Sequence, residues 1–66
     1  MNIFINGEQT LVPEQLSMRS LIDKLDLAGQ RLAVEVNEEL VPRSTFEGHF
    51  LTDKDRVEII QAIGGG

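Results

Sequence analysis

The group in this sequence best suited to chemistry is a carboxylate at the end of a glycine run. The chain ends Gly64-Gly65-Gly66, directly after an apolar segment. A glycine run has no Cβ atoms, so it is narrow, and it adopts φ values that are closed to other residues. Three extended residues reach about 10 Å, which is enough to carry a carboxylate into a partner's active site while the fold stays outside. A frayed terminus or a cloning remnant would be the alternatives, but fraying selects polar residues generally and cloning remnants usually mix glycine with serine or tag residues.

A free carboxylate needs activation before its oxygen can be replaced. Hydroxide is a poor leaving group and the negative charge repels nucleophiles. A mixed anhydride with AMP would provide a neutral acyl centre and a good leaving group. A sulfur donor could then attack and leave a thiocarboxylate, so the chain would act as a group carrier while its partners perform the chemistry.

The other candidates for chemistry are weaker. His49 is the single histidine and lies near Glu47, without the further ligands that a metal site needs, so we expect no metal. Glu38-Glu39 is typical of a solvated turn, and Arg43 could either contact a partner or brace a loop. The absence of cysteine excludes disulfides, thiolate nucleophiles and zinc–cysteine sites. Any sulfur that this protein handles cannot be carried on its own cysteine.

Size and charge restrict the function further. A chain of 66 residues forms one domain with no room for an enclosed active-site cavity beside its core, so we expect no enzyme. Eleven acidic against six basic residues give a net charge of −5, the wrong sign for nucleic acid or an anionic membrane. This charge suits a partner with a basic groove. The first five residues form neither a signal peptide nor a membrane span, so a cytoplasmic location is expected.

The sequence opens with the pattern of a β-hairpin. Residues 1–5 alternate between the two faces of a strand. Asn6-Gly7 is the dipeptide that most readily takes the positive φ values of a two-residue turn. Residues 9–12 form the predicted returning strand, which Pro13 ends.

A short helix is predicted next. Ser17 is a candidate N-cap, because its hydroxyl can accept from a free N–H in the first turn. An apolar stripe at i, i+3, i+4 and i+7 follows, formed by Met18, Leu21, Ile22 and Leu25. Gly29 lies just beyond it, where chains commonly leave a helix. We expect the stripe to pack against the sheet.

The second half of the chain predicts the remaining strands. Residues 32–36 alternate as a third strand, Asn37-Glu38 forms a turn, and Leu40-Val41 begins a short fourth strand that Pro42 ends. Residues 43–51 are predicted to be a loop with one helical turn, and residues 52–55 a polar turn. The last strand is predicted over 57–63. The order β-β-α-β-(β)-β predicts an α+β domain at 1–63, with one mixed sheet and one helix, followed by a tail at 64–66.

Several motifs together resemble a known family. They run along essentially the whole chain and are Ile3-x-Ile5-Asn6-Gly7-Glu8, Leu21-Ile22-x-x-Leu25, Ala33-Val34-Glu35-Val36-Asn37, Val41-Pro42-Arg43-Ser44, Asp55-x-Val57-Glu58-Ile59 and the terminal Gly-Gly. This pattern resembles the ThiS family of thiamine-biosynthesis sulfur carriers, whose fold is the ubiquitin-like β-grasp. Residues 1–5 are also similar to the first strand of ubiquitin. One departure is Lys54, where the family usually places glycine in a turn.

The resemblance implies a specific chemistry. A ubiquitin-activating-like adenylyltransferase would use Mg-ATP to adenylate Gly66, and sulfur derived from a cysteine desulfurase would convert the adenylate to a thiocarboxylate. Thiazole synthase would then take the sulfur into the thiazole precursor of thiamine. By this resemblance Gly66 is the modified residue, and Gly64 and Gly65 provide reach. The chain itself would bind no cofactor, because ATP and Mg belong to the activating partner.

A docking surface is also predicted. If Met1, Ile3, Val57 and Ile59 face the helix, alternation places an apolar group on the opposite sheet face, made of Phe4, Ile60 and Ala62. Grouped exposed apolar residues are a usual sign of binding, although single ones are normal on any protein. Ubiquitin-like domains commonly bind through this face, so the resemblance adds support to a partner-binding patch here.

Three other functions fit part of the pattern. The small subunit of molybdopterin synthase also ends in Gly-Gly, but such subunits are typically longer and the segment Val41-Pro42-Arg43-Ser44 disfavours them. A protein modifier of the ubiquitin kind would use the same activated terminus to form an isopeptide bond. A plain interaction domain would leave the tail idle.

Overall fold

One mixed sheet of five strands, crossed on one face by a helix, forms the domain. The computed structural model describes residues 1–61. Its elements are β1 (Asn2–Ile5), β2 (Glu8–Leu11), α1 (Met18–Lys24), β3 (Leu32–Val36), β4 (Glu39–Val41), a 3-10 helix (Arg43–Gly48) and β5 (Arg56–Gln61). Within this described part, no helix is long and apolar enough to cross a membrane. The element order and the one α-helix among the described residues confirm the predicted β-grasp fold.

The last strand lies in the middle of the sheet. The strand order is β2-β1-β5-β3-β4. β5 pairs with β1 in parallel, and all other neighbouring strands are antiparallel. β5 begins at Arg56, one residue before the predicted start. The predicted end of this strand at Ile63, and the predicted boundary between domain and tail, lie outside the described residues.

The opening hairpin follows from the backbone freedom of its turn. Asn6 and Gly7 have φ values of 50° and 84°, which matches a two-residue turn that requires positive φ at both positions. β2 therefore begins at Glu8, one residue earlier than predicted. Val12 follows the end of β2, and its side chain is buried in the core.

The helix begins where it was predicted and ends sooner than its apolar stripe. The Ser17 hydroxyl oxygen accepts a hydrogen bond from the backbone N–H of Ser20 at 3.1 Å, as expected for an N-cap. Leu25, predicted to pack against the sheet, is instead the C-cap residue and is 38% exposed. The next residue, Asp26, has a left-handed backbone conformation with φ 61°, which ends the helix. Leu25 therefore does not extend the buried face of the helix.

The core lies between the helix and one face of the sheet. Five of its side chains are completely enclosed: Ile3, Met18, Leu21, Val34 and Val57. Met1 and Ile59 are partly buried against this cluster, which confirms the predicted helix-facing side of β1 and β5. The single helical turn predicted over 43–51 is a six-residue 3-10 helix that buries Phe46.

The turn before β5 contains Lys54, the position where the sequence departs from the family that it resembles. Lys54 has φ 70°, in the left-handed region that glycine adopts without steric cost. Its backbone N–H donates to the Asn2 carbonyl at 2.6 Å, which holds the turn against the start of β1. Lys54 therefore adopts a backbone conformation that favours glycine, the residue expected at this position from the family resemblance.

Candidate functional site

The candidate site is the carboxy-terminal tail together with the strand that leads to it. Gly64, Gly65 and Gly66, as well as Ala62 of the predicted patch, lie outside the described residues. The structure does describe β5 up to Gln61. β3 pairs with β5 from Val57 to Gln61, whereas β1 pairs with it only at Arg56 and Val57. The chain thus approaches its tail from the centre of the sheet, with β3 on one side and the end of β1 on the other.

Asn6 continues the contact between the hairpin turn and β5. Its backbone N–H donates to the Val57 carbonyl at 2.8 Å. Its side-chain Oδ1 accepts from the backbone N–H of Ile59 at 2.8 Å, and Nδ2 donates to the Ile59 carbonyl at 3.4 Å. One side chain therefore binds both backbone polar groups of a residue two positions before the end of the described strand.

Asn37 makes a similar contact at the other end of β5. Its Oδ1 accepts from the Arg56 backbone N–H at 3.0 Å, and Nδ2 donates to Asp55 Oδ1 at 3.0 Å. Like Asn6, it occupies a turn position with positive φ, here 51°, which asparagine tolerates better than most residues. The sequence predicted only a turn at Asn37.

Asp55 is a buried carboxylate that the sequence placed only in a polar turn. It is 8% exposed. Its Oδ2 accepts from the Thr52 backbone N–H at 2.8 Å, and its Oδ1 accepts from the Thr52 hydroxyl at 3.0 Å as well as from Asn37. These bonds fix the turn that feeds into β5. The sequence contained a signal for these hydrogen bonds, because Thr52 and Asp55 have the i, i+3 spacing of a side-chain cap.

Phe4 and Ile60 lie on the sheet face that was predicted for them. Phe4 is opposite Arg56 in the parallel register, and Ile60 points to the same side as Arg56. Ile60 is 56% exposed, and Phe4 is partly buried. They are not neighbours, because four residues of strand correspond to roughly 13 Å. Whether they bind a partner stays a prediction.

The nearest apolar neighbours of Ile60 come from β3 and β4. Ala33 lies directly opposite Ile60, and Leu40, which is 67% exposed, lies on the same face opposite Glu35, two residues along β3 from Ala33. Glu35 pairs with both Leu40 and Glu58, so Leu40 and the two carboxylates form the next row across the three strands. The described part of this surface therefore mixes apolar and acidic side chains, which suits a partner that offers both apolar and basic residues.

The remaining sequence candidates have structural explanations. The Arg43 guanidinium donates to the Gln30 carbonyl at 2.7 Å, so it braces the loop after the helix. His49 is partly buried, and its carbonyl accepts from the Met18 backbone N–H at 2.8 Å. Glu38 and Glu39 are exposed at the β3–β4 turn. Among residues 1–61, no cluster of three potential metal-binding side chains occurs.

Comparisons with known proteins agree with the fold and with the motifs. The chain is 27% identical over 66 residues to the sulfur carrier protein ThiS of Escherichia coli K12, and the match covers all of both chains. It is 35% identical to part of the thiazole synthase of Paramagnetospirillum magneticum, where it spans 100% of this chain and 20% of that one. The crystal structure of the thiamine biosynthesis protein ThiS from Geobacter metallireducens superimposes with a TM-score of 0.86 and 33% identity, covering 100% of both chains.

The family assignment includes the glycine run itself. The model of the ThiS family matches residues 2–66, so the match extends from the opening strand through β5 to the last glycine. The chain therefore belongs to the ThiS family.

Proposed function

We propose that this chain is a sulfur carrier in thiamine biosynthesis and that the carboxylate of Gly66 is its working group. The observation that carries the proposal is the family match over residues 2–66, which covers both the central strand β5 and the glycine run. The resemblance to a segment of a thiazole synthase chain supports thiazole synthase as the sulfur acceptor. The small core supports a carrier rather than an enzyme.

The proposed chemistry proceeds in steps that partner proteins catalyse. An oxygen of the Gly66 carboxylate attacks the α-phosphorus of Mg-ATP, and pyrophosphate leaves. The terminal sulfur of a persulfide, derived from a cysteine desulfurase, attacks the acyl carbon and displaces AMP. A thiol then cleaves the S–S bond, which forms a disulfide and releases the thiocarboxylate. Its soft sulfur finally attacks the thiazole precursor bound by thiazole synthase.

In this scheme the chain itself supplies reach and presentation. The glycines have no side chains that could collide with the walls of a narrow channel. The Ile60 surface, defined here as Ile60, Ala33 and Leu40, would contact the partner, with Glu35 and Glu58 facing its basic residues. We place these reactions in the cytoplasm, because an oxidising compartment would oxidise the thiocarboxylate.

Mass spectrometry of the C-terminal peptide tests the chemistry. The purified chain is incubated with the adenylyltransferase, Mg-ATP, a cysteine desulfurase and cysteine, and a matched reaction omits ATP. Sulfur in place of oxygen adds nearly the same mass as one methionine oxidation, and Met1 and Met18 are both oxidisable, so the shift must be located in the peptide that ends at Gly66. A conjugate to a lysine of another protein, or an unmodified terminus, would contradict the proposal.

Gly66→Ala and deletion of Gly66 test the terminal residue. We expect both variants to support pyrophosphate exchange at a sharply reduced rate, because the added methyl must enter a channel shaped for glycine and the deletion shortens the reach by about 3.5 Å. Thermal unfolding should be unchanged, because the buried residues of the described core end at Val57. Wild-type exchange rates in both variants would refute the role of Gly66.

A further inference from the structure

β5 continues beyond the strand that pairs with it. In the parallel ladder, Phe4 N–H donates to the Asp55 carbonyl at 2.9 Å and Asn6 N–H donates to the Val57 carbonyl at 2.8 Å. A regular parallel strand would next offer the carbonyl of residue 6 to the N–H of Ile59. The hairpin turn prevents this, because φ of Asn6 is 50° and its backbone has left the extended conformation.

The Asn6 side-chain amide makes the hydrogen bonds to Ile59 that a continued β1 would have made with its backbone. Its Oδ1 accepts from the Ile59 N–H at 2.8 Å, where the backbone carbonyl would have done so, and Nδ2 donates to the Ile59 carbonyl. Without this side chain, no hydrogen bond described for β1 or its turn would reach β5 beyond Val57. Among its neighbouring strands, only β3 would then form hydrogen bonds with the end of β5.

We infer that Asn6 is a positioning residue for group transfer at Gly66. It holds Ile59, close to the last described residue of β5 and seven residues before Gly66. Reaction rates are sensitive to displacements of about 1 Å in the reacting group. Loss of the Asn6 amide therefore slows the adenylation step, whereas partner binding through the Ile60 surface is retained. This inference rests on the proposed function.

Asn37 provides a matched control. Both asparagines occupy turn positions with φ near 50°, both accept from a backbone N–H of β5, and both make a second hydrogen bond through Nδ2. Asn37 acts at Arg56, the first residue of β5, whereas Asn6 acts near its other end. Substitutions at the two asparagines remove similar hydrogen bonds at opposite ends of β5. A comparison of the two variants therefore distinguishes an effect on the position of the tail from an effect on overall stability.

The experiment compares Asn6→Gly with Asn37→Gly in the full chain. Glycine adopts these φ values without strain, so each variant removes the side-chain amide alone. The probe is pyrophosphate exchange catalysed by a ThiS-activating adenylyltransferase with Mg-ATP, measured as kcat and KM for the carrier. Thermal unfolding and amide hydrogen exchange at Ile59 are measured on the same samples.

We expect Asn6→Gly to lower kcat at least about fivefold while KM stays within about twofold, with faster hydrogen exchange at Ile59. Asn37→Gly should lose comparable thermal stability and keep both kinetic constants within about twofold. Unchanged kcat in Asn6→Gly, or an equal loss of kcat in both variants, would overturn the inference. A wild-type chain that supports no exchange would instead refute the proposed function, and the inference with it.

Asn6→Asp is a second variant in case Asn6→Gly does not fold at the assay temperature. It keeps the acceptor for the Ile59 N–H but places a carboxylate oxygen against the Ile59 carbonyl in place of the amide donor. We expect KM to be retained and kcat to fall at least about twofold. Wild-type kcat in this variant would contradict the role of the Nδ2 hydrogen bond in positioning.

Discussion

At the residue scale, Asp55 joins two turns through a carboxylate that is almost removed from solvent. Thr52 supplies two donors from its own turn, and Asn37 supplies a third from the β3–β4 turn. A buried carboxylate is tolerated only when donors replace its water shell. Within residues 1–61 no buried side-chain nitrogen or oxygen lacks a hydrogen-bond partner, so the network is complete where the structure describes it.

We expect Asp55→Ala to lower the free energy of unfolding by about 2–3 kcal/mol. The substitution removes three acceptor contacts and leaves the Asn37 amide and the Thr52 N–H without their partner. Urea denaturation measures the change. Asp53→Ala is the matched control, because the Asp53 carboxylate is exposed and accepts one hydrogen bond, from the Asn2 N–H at 2.8 Å. Equal losses in the two variants would show that burial of Asp55 contributes little.

Local signals identified some of these residues from sequence, and long-range contacts explain the others. Ser17 and Asn6-Gly7 were correctly assigned because an N-cap and a tight turn depend on residues within three positions. The bond between Asn6 and Ile59 joins residues 53 apart in sequence. It exists only because β1 and β5 are neighbours, and alternation of residue types does not specify which strands are adjacent.

At the element scale, period-two alternation correctly divided β5 between the two faces of the sheet. Val57 is buried under the helix, and Ile60 is exposed on the other side. The helical spacing of apolar residues extended the predicted helix too far. The spacing continues to Leu25, whereas the left-handed backbone of Asp26 ends the helix. Spacing identifies the face of a helix, whereas the end of the helix depends on local backbone conformation.

The exposed face of β5 makes a prediction about docking. We expect Ile60→Glu to leave the thermal transition within a few degrees, because this side chain is 56% exposed, and to weaken binding to the activating enzyme or thiazole synthase at least tenfold, about 1.4 kcal/mol. The added negative charge enters a surface that already carries the carboxylates of Glu58 and Glu35. Titration calorimetry or surface plasmon resonance measures the affinity.

Leu11→Glu is the control for this docking prediction. Leu11 is 77% exposed and lies opposite Asn2 in the β1–β2 pair, on the same sheet face as Phe4. It is on the edge strand β2, away from the Ile60 surface. We expect this variant to bind normally. If Ile60→Glu unfolds the protein, the assigned face is wrong, and if it binds like wild type, the docking surface lies elsewhere.

At the scale of the whole molecule, one small core holds the helix and the sheet together. A domain of this size has a free energy of unfolding of only about 3–10 kcal/mol. Ile3 is fully buried at the centre of β1, and truncation of a buried isoleucine to alanine costs about 2–5 kcal/mol. We therefore expect Ile3→Ala to lower the urea midpoint severely and to leave a substantial unfolded population at 37 °C.

Leu11→Ala is the comparison for the core, because this side chain is 77% exposed and contributes little burial. We expect its free energy of unfolding to stay within about 0.5 kcal/mol of wild type. A small effect of Ile3→Ala, similar to that of Leu11→Ala, would show that the cluster around Ile3 is not the stabilising core.

The central position of β5 also determines when this protein can fold during its synthesis. The ribosome delivers residues 2–11 and 32–41 first, and each segment can close its own antiparallel hairpin. The two hairpins do not pair with each other, because β5 separates β1 from β3. A nascent or prematurely terminated chain therefore consists of two hairpins without their common neighbour. Translation must reach β5 before a folded domain exists, so incomplete chains would have neither the assembled Ile60 surface nor the glycine run that follows β5.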